Sequence, residues 1–208
     1  MIKNLNNYHV ILSIILYISY LLLISKNIII TVVISLLTLL LLIYLNHEAF
    51  KDFKRKINDT LKNIISLGFN TAIIINVELL MASMKYGLSV GNNANQIQTT
   101  KFVATICGLL LIVIIIPVIE EIIFKYVLIG DETNDYRRII ISCLVFICLH
   151  TATEIVSLQW TVIFDMISYL AFFLITFLAY KKTDNILYPI TIHILCNLVP
   201  VILQVTKF

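Results

Sequence analysis

Long apolar runs alternate with short polar segments along most of the chain, and this pattern predicts membrane-spanning helices. Each run holds about 20 mainly apolar residues, the length that an α-helix needs to cross a bilayer. A backbone in lipid must satisfy its own hydrogen bonds, so even isoleucine-rich runs are predicted to be helical. The predicted spans lie at 8–24, 28–45, 64–84, 102–129, 139–156, 160–180 and 186–205.

Segment 47–62 differs from the spans, because large apolar residues recur in it at helical spacing among basic residues. They are Phe50, Phe53, Ile57 and Leu61. This pattern predicts a short amphipathic helix on the cytoplasmic leaflet, with a regulatory or partner-binding helix as the alternative. The predicted fold class is therefore all-α, a polytopic membrane bundle of about seven transmembrane helices plus this helix. It forms one integral-membrane domain with two parts, 1–101 and 102–208.

The composition agrees with a membrane protein. Apolar residues make up 60% of the 208 residues and charged residues 13%, whereas soluble domains have about 45–50% and about 25%. This composition excludes a soluble globular enzyme, a disordered chain and a nucleic-acid-binding protein. The net charge of +3 is too small to indicate a polyanionic partner.

The basic residues predict the orientation in the membrane. Of the 15 Lys and Arg residues, ten fall on one side if the spans alternate, four fall on the other, and Lys125 lies inside the fourth span. Because basic residues favour the cytoplasmic side, the N-terminus is predicted to be cytoplasmic and the C-terminus external. The Ile-, Asn- and Lys-rich composition favours the cell membrane of a low-GC Gram-positive bacterium.

Polar residues inside the predicted spans are the candidate functional residues, because a charge inside a bilayer is costly. A structural contact between helices is the alternative for any one of them. From the helical rise, Glu120 lies roughly 13 Å, His150 roughly 16 Å and His193 roughly 10 Å from the cytoplasmic ends of their spans. These depths share one layer of a core about 30 Å thick, so the three side chains are predicted to meet.

Helical spacing groups further residues with this layer, since residues four apart share a helix face. The pairs are Phe146 with His150, His150 with Glu154, His193 with Asn197, and Glu121 with Lys125. An ion pair between Glu121 and Lys125 would lower the cost of both charges, and Glu120 faces a different neighbour. Glu78 and Asp165 lie singly in the third and sixth spans.

Two carboxylates, two histidines and an asparagine in one layer indicate hydrolysis. Histidine holds or moves a proton near neutral pH, and an asparagine amide can donate to a developing oxyanion. Pro117 removes one helical hydrogen bond just before the two glutamates and predicts a bend in the fourth span. The bend either opens a water-accessible cavity or is a packing kink.

These residues form three motifs that resemble those of the CAAX protease and bacteriocin-processing family, also called the CPBP or Abi family. Residues 120–125, Glu-Glu-Ile-Ile-Phe-Lys, resemble its Glu-Glu-x-x-x-Arg motif. Residues 146–150, Phe-Ile-Cys-Leu-His, resemble its Phe-x-x-x-His motif, and residues 193–197, His-Ile-Leu-Cys-Asn, its His-x-x-x-Asn motif. The resemblance covers roughly 102–205, half of the chain.

The resemblance implies an intramembrane endopeptidase, similar to the Ras-converting CAAX endopeptidase, with bacterial relatives that act in bacteriocin maturation, peptide-signal processing or self-immunity. By motif, Glu120 would activate the attacking water and His150 would help to hold it. His193 and Asn197 would stabilise the oxyanion. The supporting residues would be Glu121, Lys125, Phe146 and Glu154.

Metal-free catalysis is the favoured prediction, with no cofactor. The alternative is zinc held by Glu120, His150 and His193, since the family has also been described as metal-dependent and these are plausible zinc ligands. The chain has no His-Glu-x-x-His motif. Lys125 stands where the family has arginine and lacks its bidentate fork, which bears on the substrate class more than on catalysis.

Two other functions stay open as hypotheses: a non-catalytic membrane partner or immunity protein that binds a receptor or sensor, and a small proton-coupled transporter. The intact set of candidate catalytic residues argues against the first, and the lack of an inverted repeat argues against the second. The predicted partners are membrane lipid and a membrane-associated peptide or protein substrate, with no nucleic acid. The sequence does not indicate an oligomeric state.

Overall fold

The computed structural model describes residues 7–24, 27–54, 66, 70, 106–159 and 162–205. Helices joined by turns make up these residues, with no strand among them, as an all-α fold requires. The predicted third span at 64–84, with Glu78, lies outside the described residues apart from Ser66 and Asn70.

Two N-terminal helices, α1 (Asn7–Leu23) and α2 (Ile28–Leu45), pack against each other. The side chain of Asn27 begins α2 by accepting hydrogen bonds from the backbone N–H groups of Ile29 and Ile30. Between the helices, the buried Asn46 amide donates to Ser13 Oγ over 3.0 Å. Polar contacts of this kind link helices whose other faces are apolar.

The start of the predicted amphipathic segment is a 3₁₀-helix at His47–Lys54. Ala49 and Phe50 pack against the hydrophobic core, so this part of the segment has an apolar side that faces the protein. Residues 55–62 of the predicted helix lie outside the described residues.

The central helix of the bundle, α3, is a continuous helical stretch at 106–127 that changes type along its length. α-Helical turns at Ile106–Leu110 and Ile116–Glu121 are each followed by a π-helix, which we call the first π segment (Leu111–Ile115) and the second π segment (Ile122–Val127). Every residue from 119 to 127 is buried. A helix buried on all sides is at the centre of its bundle, and α3 therefore contributes side chains to several neighbours at once.

The predicted fifth span at 139–156 is wrong as a single helix. Helix α4 runs over Tyr136–His150, and a separate short helix, α5, covers Ala152–Val156. The break is at Thr151, which leaves the helical conformation and whose hydroxyl donates to the Ile147 carbonyl over 2.8 Å. The backbone N–H of Thr151 donates to the same carbonyl over 3.0 Å.

The last two helices pack against each other and complete the bundle. They are α6 (Val162–Thr183) and α7 (Leu187–Val205). Among the described α-helices, α6 alone is long and apolar enough to cross a membrane by length and composition, and shorter apolar helices lie at Tyr8–Leu23, Ile29–Leu45 and Leu187–Leu198. The count of seven spans and their orientation stay predictions.

Candidate active site

The carboxylate of Glu120 lies between two histidine rings that come from different helices. His150 Nε2, at the end of α4, is 3.5 Å from Glu120 Oε1. His193 Nε2, on α7, is 3.6 Å from Glu120 Oε2. Glu120 and His193 are both buried. The structure thus brings together the three residues that the depth argument placed in one layer.

Each histidine uses its other ring nitrogen to donate a hydrogen bond. His150 Nδ1 is 2.9 Å from the carbonyl oxygen of Phe146, and His193 Nδ1 is 2.9 Å from Glu121 Oε1. A carbonyl and a carboxylate only accept hydrogen bonds, so both Nδ1 atoms carry a proton. In the neutral form of either ring, Nε2 therefore presents a lone pair toward Glu120.

A buried ion pair supports His193 from behind. Glu121 Oε2 lies 3.6 Å from Lys125 Nζ, as the spacing predicts, and both side chains are almost fully buried. Lys125 Nζ also lies 3.7 Å from the centroid of the Phe173 ring, a cation–π contact. Glu121 is thereby shared between a lysine and a histidine, which gives its buried charge two compensating partners.

Aromatic rings form the wall around the two histidines. The ring centroid of Phe146 is 4.2 Å from that of His150, and Tyr169 is 4.8 Å from His150 on another side. The Phe172 ring lies 4.6 Å from that of His193. These rings restrict the orientation of the histidines and exclude bulk water from the side of the site that faces α6.

Sequence reasoning missed the contribution of α6, which it treated only as the helix between two motifs. Its site residues are Tyr169, Phe172 and Phe173. They recur at i, i+3 and i+4, so the aromatic stripe on one helix face was the signal for this wall. The hydrogen bond from His193 to Glu121 was missed as well, because no spacing rule joins residues 72 positions apart.

Asn197 lies one helical turn beyond His193 and contacts α3 at a different level from Glu120. Its Nδ2 donates to the backbone carbonyl of Ile112 over 3.1 Å. That carbonyl belongs to the first π segment, eight residues before Glu120. One of the two amide protons is used in this contact, and the other stays available.

The other acidic candidates lie on α5 and α6. Glu154 is buried in α5 and accepts a hydrogen bond from Thr153 Oγ1 over 2.9 Å. Since the helix is interrupted at Thr151, the four-residue spacing that joined Glu154 to His150 no longer applies. Asp165 lies in the first turn of α6 and is half-buried.

The zinc alternative requires a fit of Glu120, His150 and His193 around one ion. Among the part of the chain that the structure describes, no group of three or more His, Cys, Asp and Glu side chains is placed to hold a metal ion. Metal-free catalysis and the zinc alternative both stay predictions, and no step of the chemistry below uses a metal ion.

Comparison with known protein families identifies a relative of the second half of the chain. Residues 102–199 match a family model described as Type II CAAX prenyl endopeptidase Rce1-like. This range contains all three motifs and ends two residues after Asn197. No curated protein and no solved structure matches the chain.

Proposed function

We propose that this membrane protein, whose residues 102–199 match the Rce1-like CAAX prenyl endopeptidase model, is an endopeptidase. It uses a Glu120-activated water, without a metal, to cleave a membrane-associated peptide or protein. The observation that carries this proposal is the Glu120 carboxylate, flanked by two histidine Nε2 atoms at 3.5 and 3.6 Å. A buried carboxylate with a proton acceptor beside it suits general-base catalysis by its position alone.

The attacking water is held between Glu120 and His150. In its neutral form, His150 accepts a hydrogen bond at Nε2 from one O–H of the water, because its Nδ1 proton is already donated to the Phe146 carbonyl. Glu120 accepts the other proton as the water oxygen attacks the scissile carbonyl carbon. The resulting carboxylic acid of Glu120 then donates that proton to the amide nitrogen as the tetrahedral intermediate collapses and its C–N bond breaks. This step releases the amine and the new carboxyl product and restores the Glu120 carboxylate.

His193 has the opposite task and stabilises the oxyanion. Its Nδ1 proton is given to Glu121, so Nε2 can donate only when the ring is an imidazolium. The carboxylates of Glu120 and Glu121 lie 3.6 and 2.9 Å from its two ring nitrogens. A charged donor is also stronger toward a developing oxyanion than a neutral one.

Asn197 supplies the second donor to the oxyanion. Its amide gives one proton to the Ile112 carbonyl, which leaves one N–H for the substrate. Glu121 and Lys125 support the site from behind His193, and Phe146 supports His150 through both its ring and its carbonyl.

The substrate we propose is a short peptide or protein segment held at the membrane, as in bacteriocin or peptide-signal processing or in self-immunity. The site lies in the half of the bundle that the sequence predicts to be cytoplasmic. Substrate then enters from that side or laterally from lipid. Lys125 is fully buried under aromatic rings, so it does not itself bind a substrate carboxylate.

The test is cleavage by the protein in lipid vesicles. Peptides anchored to the vesicle by a transmembrane helix, by an acyl chain or by a prenylated cysteine are each offered as substrate. Glu120→Gln is expected to lower kcat by about 10²–10⁴-fold, since it removes the general base. The matched control is Glu132→Gln, in an exposed turn, which should cleave like wild type. Full activity of Glu120→Gln would show that the assigned mechanism is wrong.

A further inference from the structure

The first π segment contains a backbone carbonyl, that of Ile112, that has no hydrogen-bond donor within its own helix. In this segment the Ile116 N–H donates to the carbonyl of Leu111, five residues earlier. In the same register the carbonyl of Ile112 would accept from residue 117. That residue is Pro117, which has no N–H.

The Ile112 carbonyl accepts its hydrogen bond from another helix instead. Asn197 on α7 donates to it from Nδ2 over 3.1 Å. A carbonyl only accepts, so the amide nitrogen and not the amide oxygen of Asn197 faces Ile112. Because the amide group is planar, fixing one N–H also fixes the direction of the second N–H and of the oxygen.

We propose that Pro117 is a positioning residue for the proposed peptidase reaction: it reserves the Ile112 carbonyl for Asn197 and thereby orients the amide that donates to the oxyanion. The proline acts through the proton that it lacks. A residue with an N–H at position 117 would let α3 fill its own carbonyl. Asn197 would then lose its partner and its fixed orientation.

This inference rests on the proposed function for its catalytic part, whereas its structural part is a hydrogen bond that can be tested without substrate. In this proposal, Pro117 acts through its missing N–H and not by opening a cavity. It connects α3 to the motif on α7 that carries both His193 and Asn197.

The structural part is tested by a double-mutant cycle of thermal unfolding in lipid nanodiscs. Asn197→Ala is expected to lower Tm by roughly 2–4 °C in the wild-type background, because it leaves the Ile112 carbonyl unfilled. In the Pro117→Ala background the same substitution should cost less than half as much, since the new N–H fills the carbonyl. An equal loss in both backgrounds would contradict the pairing.

The catalytic part is tested by kinetics with a pair of substitutions that differ at one atom. Pro117→Ala should lower kcat about tenfold with KM within about twofold, a fraction of the loss expected from removing an oxyanion donor. Lactic acid incorporated at position 117 has the alanine side chain and an ester oxygen in place of N–H. It should keep kcat near the wild-type value.

The controls separate a positioning role from a general effect on the fold. Pro189 lies in the first turn of α7, where an N–H has no helical acceptor, so Pro189→Ala should leave kcat unchanged. In the Asn197→Ala background, Pro117→Ala should have no further effect on kcat. Equal losses from alanine and lactic acid at 117, or additive losses with Asn197→Ala, would overturn the positioning role. If wild type cleaves no peptide, the proposed function is wrong, while the unfolding cycle still decides whether Asn197 and Pro117 are coupled.

Discussion

A histidine Nε2 atom lies on each side of the Glu120 carboxylate, but the two histidines donate from Nδ1 to different kinds of acceptor. On one side, His150 donates from Nδ1 to a neutral backbone carbonyl of its own helix, that of Phe146. On the other side, His193 donates to the carboxylate of Glu121, which is itself paired with Lys125. A neutral support suits a ring that accepts a proton, and an anionic support suits a ring that carries charge.

The difference between the two sides shows how two histidines beside one carboxylate can have different tasks. In the proposed mechanism, Glu120 and His150 handle the protons of the attacking water, whereas His193 stabilises the negative charge that develops on the substrate. The supports that distinguish them lie outside the reacting atoms. Changing a support should therefore alter one side and leave the other intact.

The largest expected effect comes from removing the anionic support. Glu121→Gln leaves Lys125 buried without a counter-charge, and breaking such a pair costs about 3–5 kcal/mol. We expect a large fall in Tm together with loss of cleavage. Adding Lys125→Met should restore Tm, because an apolar side chain of similar size replaces the unpaired charge, but should leave kcat low. Recovery of kcat in the double variant would mean that Glu121 acts only in folding.

The sequence predicted the depth of the site residues in the bundle, but not the direction in which each side chain points around its helix. The helical rise fixes depth, and this placed Glu120, His150 and His193 at one level before any contact was known. Which neighbour a side chain faces depends on helix rotation, and the two π segments of α3 change that rotation around Glu120. Spacing therefore found the Glu121–Lys125 pair within one helix, but not that His193 contacts both glutamates.

In the fold as well, features set by local sequence were predicted, whereas features set by contacts between helices were not. The long apolar runs predicted the helices at 7–23, 28–45 and 187–205 to within a few residues. They did not predict the interruption at Thr151, because no glycine or proline marks the end of α4 in the sequence. The sequence also did not predict the hydrogen bond from Asn197 to the Ile112 carbonyl. That carbonyl lacks a helical donor only because of the π-helical register, which the sequence alone does not reveal.

A smaller effect is expected from the aromatic support of Lys125. Phe173→Leu removes the ring that lies 3.7 Å from Nζ and should lower stability by up to about 2 kcal/mol through the lost cation–π contact. Cleavage should fall only slightly, because the Glu121 carboxylate stays beside His193. In the Lys125→Met background the same substitution should cost less, and an equal cost would show that Phe173 acts by packing alone.

The smallest expected effect is that of a chelator, and it bears on both sides of Glu120 together. In the proposed mechanism the lone pair of His150 and the charge of His193 have separate tasks, whereas a zinc ion would require neutral Nε2 lone pairs from both rings. Incubation with 1,10-phenanthroline is therefore expected to leave kcat within about twofold of the untreated value. The control is the same incubation with a non-chelating phenanthroline isomer. Inhibition by the chelator alone, reversed by added zinc, would replace the asymmetric site with one in which Glu120, His150 and His193 act as equivalent ligands.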